Sequence, residues 1–172
     1  MRTVLVGERP REVEEWLERR RALGQDLFDE VWEGEYHVAP APHGRHGQID
    51  DQLARILGER ADGARLRGSG PCNIGQPDDY RVPDRAYFRD PAPALYNPTA
   101  AVVVEIVSPG DESRAKLGFY HRCGVEEVLV VDPDARTVEW YRRGAEAFTA
   151  SEGSPLLGVS GHELEQRIDW PD

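Results

Sequence analysis

The chain has 172 residues, enough for one domain with a real core and too few for two of ordinary size. Charged residues make up 31% and hydrophobic residues 39%, which excludes a disordered or fibrous chain. The net charge of −11 excludes a surface coated for indiscriminate nucleic-acid binding, while leaving room for a local basic stripe.

The stretch from Met1 to Pro10 is polar and lacks a signal-peptide core. No apolar run approaches the ~20 residues of a membrane-spanning helix, so a cytoplasmic location is expected. Pro10 to Leu23 reads as a helix, an N-terminal extension of a single domain over 1–172. Pro10 suits its first turn, and Val13, Trp16, Leu17, Arg20 and Leu23 recur on one face. Phe28 to Val38 reads as a β-hairpin turning at Glu33-Gly34, and Ala39-Pro40-Ala41-Pro42 breaks the pattern.

His46 to Arg60 is a second helix with an apolar stripe of Ile49, Leu53, Ile56 and Leu57; Gly58 and Gly63 signal its end. Arg65 to Ile74 and Tyr80 to Phe88 read as extended, and Pro83 marks the second as an edge strand or a strand start. Arg89 to Pro98 is a proline-rich loop. Thr99 to Val107 is nearly all apolar and reads as a strand buried on both faces, stopped by Ser108-Pro109-Gly110. Asp111 to Cys123 reads as a helix with Gly124 past its end, and Glu127 to Val131 as a second apolar strand. Strand, helix and strand at this spacing make a parallel βαβ unit. Thr137 to Tyr141 and Ala145 to Thr149 pair about Arg143-Gly144, and a short helical turn is expected near His162 to Gln166.

Several residues stand out chemically. Glu105 is the one charged residue inside the most apolar strand. A buried carboxylate has to be paired, protonated or bound to metal, so it calls for either an arginine or a cation. Asp84 follows Pro83 in an extended segment, and two carboxylates on adjacent strands can converge on one divalent ion. Oxygen ligands suit magnesium, with the backbone carbonyl of Ile106 as a further donor. Of 21 basic residues only Lys116 is lysine; the rest are arginine. A lone lysine marks either a place where guanidinium cannot substitute or chance survival. Tyr120 lies four residues on, on the same helix face. Arg19, Arg20, Arg21, Arg65 and Arg67 are either basic stripes or solvated surface. His43 and His46 with Asp50 form a weak second metal pattern. Cys72 and Cys123 show no metal spacing and are expected as reduced thiols.

These residues fall into an ordered string. Val82-Pro83-Asp84 is followed by Val103-Val104-Glu105-Ile106-Val107-Ser108-Pro109. Lys116, Tyr120, Cys123-Gly124-Val125-Glu126-Glu127 and Val130-Val131-Asp132-Pro133 come after it. The string resembles the Uma-two family of restriction-type endonucleases, within the PD-(D/E)XK superfamily. With Glu33-Gly34-Glu35 and the helix carrying His46, Ile49 and Leu53, the similarity runs from about Phe28 onward.

The resemblance implies an α/β fold: a restriction-endonuclease-like mixed β-sheet flanked by helices, with N-terminal and C-terminal β-hairpins. It implies magnesium- or manganese-dependent cleavage of DNA phosphodiesters. Asp84 and Glu105 match the two acidic positions. Val107 stands where the usual lysine would, and Lys116 matches a relocated one. Glu35 is an accessory carboxylate candidate, and His46 an accessory contact to phosphate or carboxylate. Arg85 after Asp84 and Gly118 within the helix depart from the pattern. Two other readings compete: a catalytically silent binding or regulatory module, motivated by the negative charge, and a structural homodimer in which Trp140 and Phe148 seek cover.

Overall fold

The computed structural model describes residues 3–39, 43–90, 94–108 and 112–171. The breaks expected at 40–42, 91–93 and 109–110, and the helix start expected at 111, lie outside them.

In chain order, β1 (Thr3–Leu5) precedes α1 (Arg11–Ala22), β2 (Glu30–Trp32), β3 (Glu35–Val38) and α2 (Gly44–Gly63). Short strands follow: β4 (Arg67–Ser69), β5 (Asn73–Gln76), β6 (Asp79–Arg81), β7 (Arg85–Phe88) and β8 (Tyr96–Asn97). Then come β9 (Val102–Ile106), a 3₁₀ turn (Ser113–Lys116), α3 (Leu117–Arg122) and β10 (Glu127–Asp132). The chain ends in β11 (Thr137–Arg143), β12 (Phe148–Ser151), β13 (Gly153–Ser154), β14 (Val159–Ser160) and α4 (Gly161–Arg167).

Among the described residues the strands form two six-stranded sheets and a small ladder. One sheet runs β1-β3-β2-β6-β5-β8, the other β12-β11-β10-β9-β7-β4, and β13 pairs with β14. β9 and β10 are parallel with Glu105 beside Val130, as a βαβ unit requires, and the other neighbours in that sheet are antiparallel. The fold is therefore mixed α/β, with both expected hairpins present. The first turns through Glu33 at φ 51 and Gly34 at φ 90, a pair of left-handed residues whose twist suits a two-residue hairpin.

Strand β9 is buried throughout, and its side chains alternate between two cores. Val102, Val104 and Ile106 join Ile49, Leu53 and Leu57 of α2 and Leu164 of α4. Val103 joins Phe119, Tyr120 and Val128 on the other face. A third cluster holds Leu17 of α1 against Val31, Tyr36, Tyr80 and Val82.

Three expectations need correction, and one strand is added. α2 starts at Gly44 and runs past the expected end at Arg60 to Gly63, with Ala61 extending its buried face. The helix after β9 opens as a 3₁₀ turn; that winding eclipses positions three apart and turns Ser113 and Lys116 inward together. Strand β1, unannounced by any sequence pattern, caps the first sheet beside β3. Trp140, proposed to need a partner subunit, is 2% exposed and packs in its own chain's core, and Phe148 packs partly against the other core. That ground for a homodimer is gone. No helix among the described residues is long and apolar enough to cross a membrane.

Gly118 lies in α3, where an added Cβ would meet open space. Gly118→Ala should stabilise the protein by about 0.5–1 kcal/mol, seen as a melting temperature higher by roughly 1–4 °C. A lower melting temperature would contradict the open space.

Candidate active site

The segment Val82-Pro83-Asp84 leaves the first sheet at β6 and enters the second at β7, so it crosses between the two. Pro83 thus precedes an interior strand, the strand-start alternative of the sequence reading. The β7–β9 ladder pairs Arg85 with Val104; one step further on, Asp84 comes level with Glu105. There Asp84 Oδ2 accepts the backbone N–H of Ile106 at 2.6 Å. Its other oxygen faces His46 Nε2 at 2.8 Å, and His46 Nδ1 lies 3.2 Å from Ser108 Oγ. The first turns of α2 and the end of β9 therefore fix Asp84 from both sides.

Glu105 shares its strand face with Val103, toward α3. Lys116 donates to both its oxygens, at 3.1 Å and 2.9 Å, and the Tyr120 hydroxyl donates to the same carboxylate. Lys116 Nζ also stands 2.9 Å from Glu30 Oε1. Glu30 in turn accepts from Val82 N at 2.9 Å and from Trp32 Nε1 at 2.6 Å. All three charged groups are buried: Glu30 is 1%, Glu105 3% and Lys116 6% exposed.

Burial pushes the Glu105 carboxyl up to about 8; Lys116 opposes the rise, and the negative charges of Asp84 and Glu30 add to it. Burial alone would lower Lys116, but the carboxylates of Glu105 and Glu30 outweigh it and hold the ammonium charged. Burial and the Glu105 charge keep Tyr120 protonated, a hydroxyl that donates. Burial pushes the Cys72 thiol up to about 11 and raises Cys123; both are free thiols, and neither has thiolate character.

The structure brings together Asp84, Glu105, Lys116, Tyr120 and His46. It does not bring Glu35, which stands exposed at the hairpin turn; the acid this hairpin sends inward is Glu30. In the register of β2 and β3, Glu30 pairs with His37 and shares its face with Trp32. The strand alternation Glu30-Val31-Trp32 was the signal that could have found it. The His43, His46 and Asp50 set is not assembled. His43 accepts from Arg45 N as the cap of α2, His46 turns to Asp84, and Asp50 pairs with Arg85 at 2.9 Å. Arg20 belongs to no basic stripe; it holds the buried Asp29 at 2.9 Å, which also accepts from Tyr36 and Ala39 N. Arg65 and Arg67 are exposed.

Asp84 and Glu105 are hard oxygen donors, the chemical kind that suits a divalent cation such as magnesium. His46 faces Asp84, Lys116 stands between Glu105 and Glu30, and the charges of Asp84 and Glu30 raise the cost of ionising Glu105. Among the described residues no cluster of three or more His, Cys, Asp or Glu could hold a metal by itself. Magnesium is held by one or two carboxylates and keeps several waters.

A family model described as "Uma2: Putative restriction endonuclease" matches residues 12–166. Among solved structures, "a putative nuclease belonging to DUF820" from Anabaena variabilis ATCC 29413 superposes with a TM-score of 0.65 at 20% identity. The match covers 81% of this chain and 90% of the other, and at that identity it speaks for the fold. No curated protein matches the chain.

Proposed function

The chain belongs to the Uma2 family of restriction-endonuclease type, and from that premise we propose that it hydrolyses DNA phosphodiesters with a divalent cation, magnesium or manganese. The observation that supports this best is the placement of Asp84 level with Glu105 on adjacent strands, with the one lysine of the chain between Glu105 and Glu30. Asp84, Glu105 and the carbonyl of Ile106 would hold the cation. Bound there, it would acidify a water and offset charge on the phosphate.

The chain's own groups set the rest. His46 and the Ile106 N–H aim Asp84. Tyr120 restrains Glu105 without charge of its own. Lys116 is the only ammonium at hand, a compact charge that can orient a water or a phosphate oxygen. No group in this arrangement is a strong nucleophile, which leaves water to attack.

The test is supercoiled plasmid incubated with the purified protein and magnesium, manganese or EDTA. Metal-dependent nicking or linearisation supports the reading; intact plasmid with every metal moves the weight to a catalytically silent nuclease-fold module. The same assay has an expected pH course. Glu105 must lose its proton to hold a cation, and its carboxyl lies near 8, above the ordinary carboxylate range. The rate at limiting magnesium should therefore rise about tenfold per pH step below pH 8 and flatten above it. A rate already flat from pH 6 would remove Glu105 as the titrating ligand.

A further inference from the structure

The Lys116 ammonium has two buried acids within reach, and only one of them belongs to the cation site proposed above. Glu105 takes it with both oxygens, at 3.1 Å and 2.9 Å, and Glu30 takes it with Oε1 at 2.9 Å. An ammonium has three protons to donate, so it can serve both acids together. It cannot stay fully on Glu105 once a divalent ion arrives, because two cations on one carboxylate repel each other and compete for the same lone pairs.

The two acids differ in how they are held. The place of Glu30 does not depend on Lys116: Val82 N fixes Oε1 at 2.9 Å and Trp32 Nε1 fixes Oε2 at 2.6 Å. Val82 lies two residues before Asp84, so the same carboxylate is tied to the strand entry that carries the other cation ligand. Lys116 ends a 3₁₀ turn and reaches inward on a flexible stem, able to lean toward either acid.

We propose that Glu30 is a positioning residue that draws the Lys116 ammonium off Glu105 and keeps it beside the site, leaving Glu105 open to a divalent cation. The inference rests on the reading of Asp84 and Glu105 as cation ligands. Without Glu30 no second acid competes for the ammonium, which stays on both Glu105 oxygens and excludes the cation. With Glu30 it stays within reach of a substrate phosphate.

Magnesium titrated calorimetrically into four substrate-free proteins tests this: wild type, Glu30→Gln, Lys116→Gln and the double variant. Glutamine keeps the length at Glu30, removes the charge from a slightly shorter polar chain at Lys116, and melting curves confirm folding. Glu30→Gln should weaken magnesium binding about tenfold when Lys116 is present and less than about threefold when it is glutamine, a coupling of the size neighbouring residues show. Equal losses in both backgrounds would overturn the inference, since Glu30 would then act as a plain charge or as a ligand. Magnesium binding by the wild type with no loss in Glu30→Gln overturns it alone. No binding by the wild type at millimolar magnesium overturns the cation site along with it. Should Glu30→Gln fail to fold, Glu30→Asp takes its place. It withdraws the carboxylate by one methylene and should show the same Lys116-dependent loss in weaker form; a loss indifferent to Lys116 again overturns the proposal.

Discussion

Glu105→Gln is expected to lower metal-dependent DNA cleavage on the order of 10³-fold or more, while the protein stays folded. The substitution keeps the side chain's shape, removes the charge, and leaves one oxygen to accept from Tyr120 and Lys116. Stability should hold or rise, because the native carboxylate is 3% exposed and burial works against its ionisation. Lys116 keeps its second acid, Glu30, at 2.9 Å, so no buried cation is stranded. The two effects therefore run in opposite directions, as they do where a site is kept at a cost in stability. Plasmid cleavage beside a melting curve reads both. Cleavage that persists with magnesium in this variant would sink Glu105 as a cation ligand; a melting temperature well below wild type would show instead that the charge holds the fold together.

The legibility of this site in the sequence varied residue by residue, for physical reasons. Glu105 could be read because its strand is otherwise apolar, and burial makes a lone carboxylate conspicuous. Lys116 could be read because arginine supplies every other basic position. Glu30 could not be weighed in the same way. It sits beside Asp29 at the start of a hairpin arm; both acids are buried, and the short Glu30-Val31-Trp32 alternation does not tell the one that meets Lys116 from the one that binds Arg20. The sequence pattern around Glu33-Gly34-Glu35 marks the turn and drew the accessory role to Glu35, which faces solvent. Short strands were the least legible part of the fold. Three- and four-residue segments such as β1 and β6 carry too few positions to establish a period, and their pairing comes from partners distant in sequence. Which sheet each would join, and that the chain crosses between sheets at Pro83, depended on that pairing.

Lys116→Met carries the largest expected effect on stability. The native ammonium is paired with two carboxylates that are 1% and 3% exposed, and methionine fills its volume without satisfying either. Breaking a buried pair by removing one partner costs about 3–5 kcal/mol, because the remaining charge is left without compensation. At 2–4 °C per kcal/mol for a chain of this size, the melting temperature should fall by roughly 6–20 °C. The pH dependence has a definite sign. With the ammonium gone, the folded-state carboxyl of Glu105 rises further above its unfolded value. Stability that depends on its proton is then present at low pH and lost as pH climbs through the raised value. The gap between variant and wild type should consequently widen from pH 7 to pH 9, where the wild-type carboxyl, near 8, loses its proton and the variant's still holds it. A second change, Glu105→Gln in the same chain, should recover part of the loss by removing one of the stranded charges. Urea melts of the single and double variants at the two pH values measure all of this. A Lys116→Met protein as stable as wild type at pH 8 would mean that the two acids do not depend on this lysine, and the ion-pair geometry that organises the site would lose its energetic meaning.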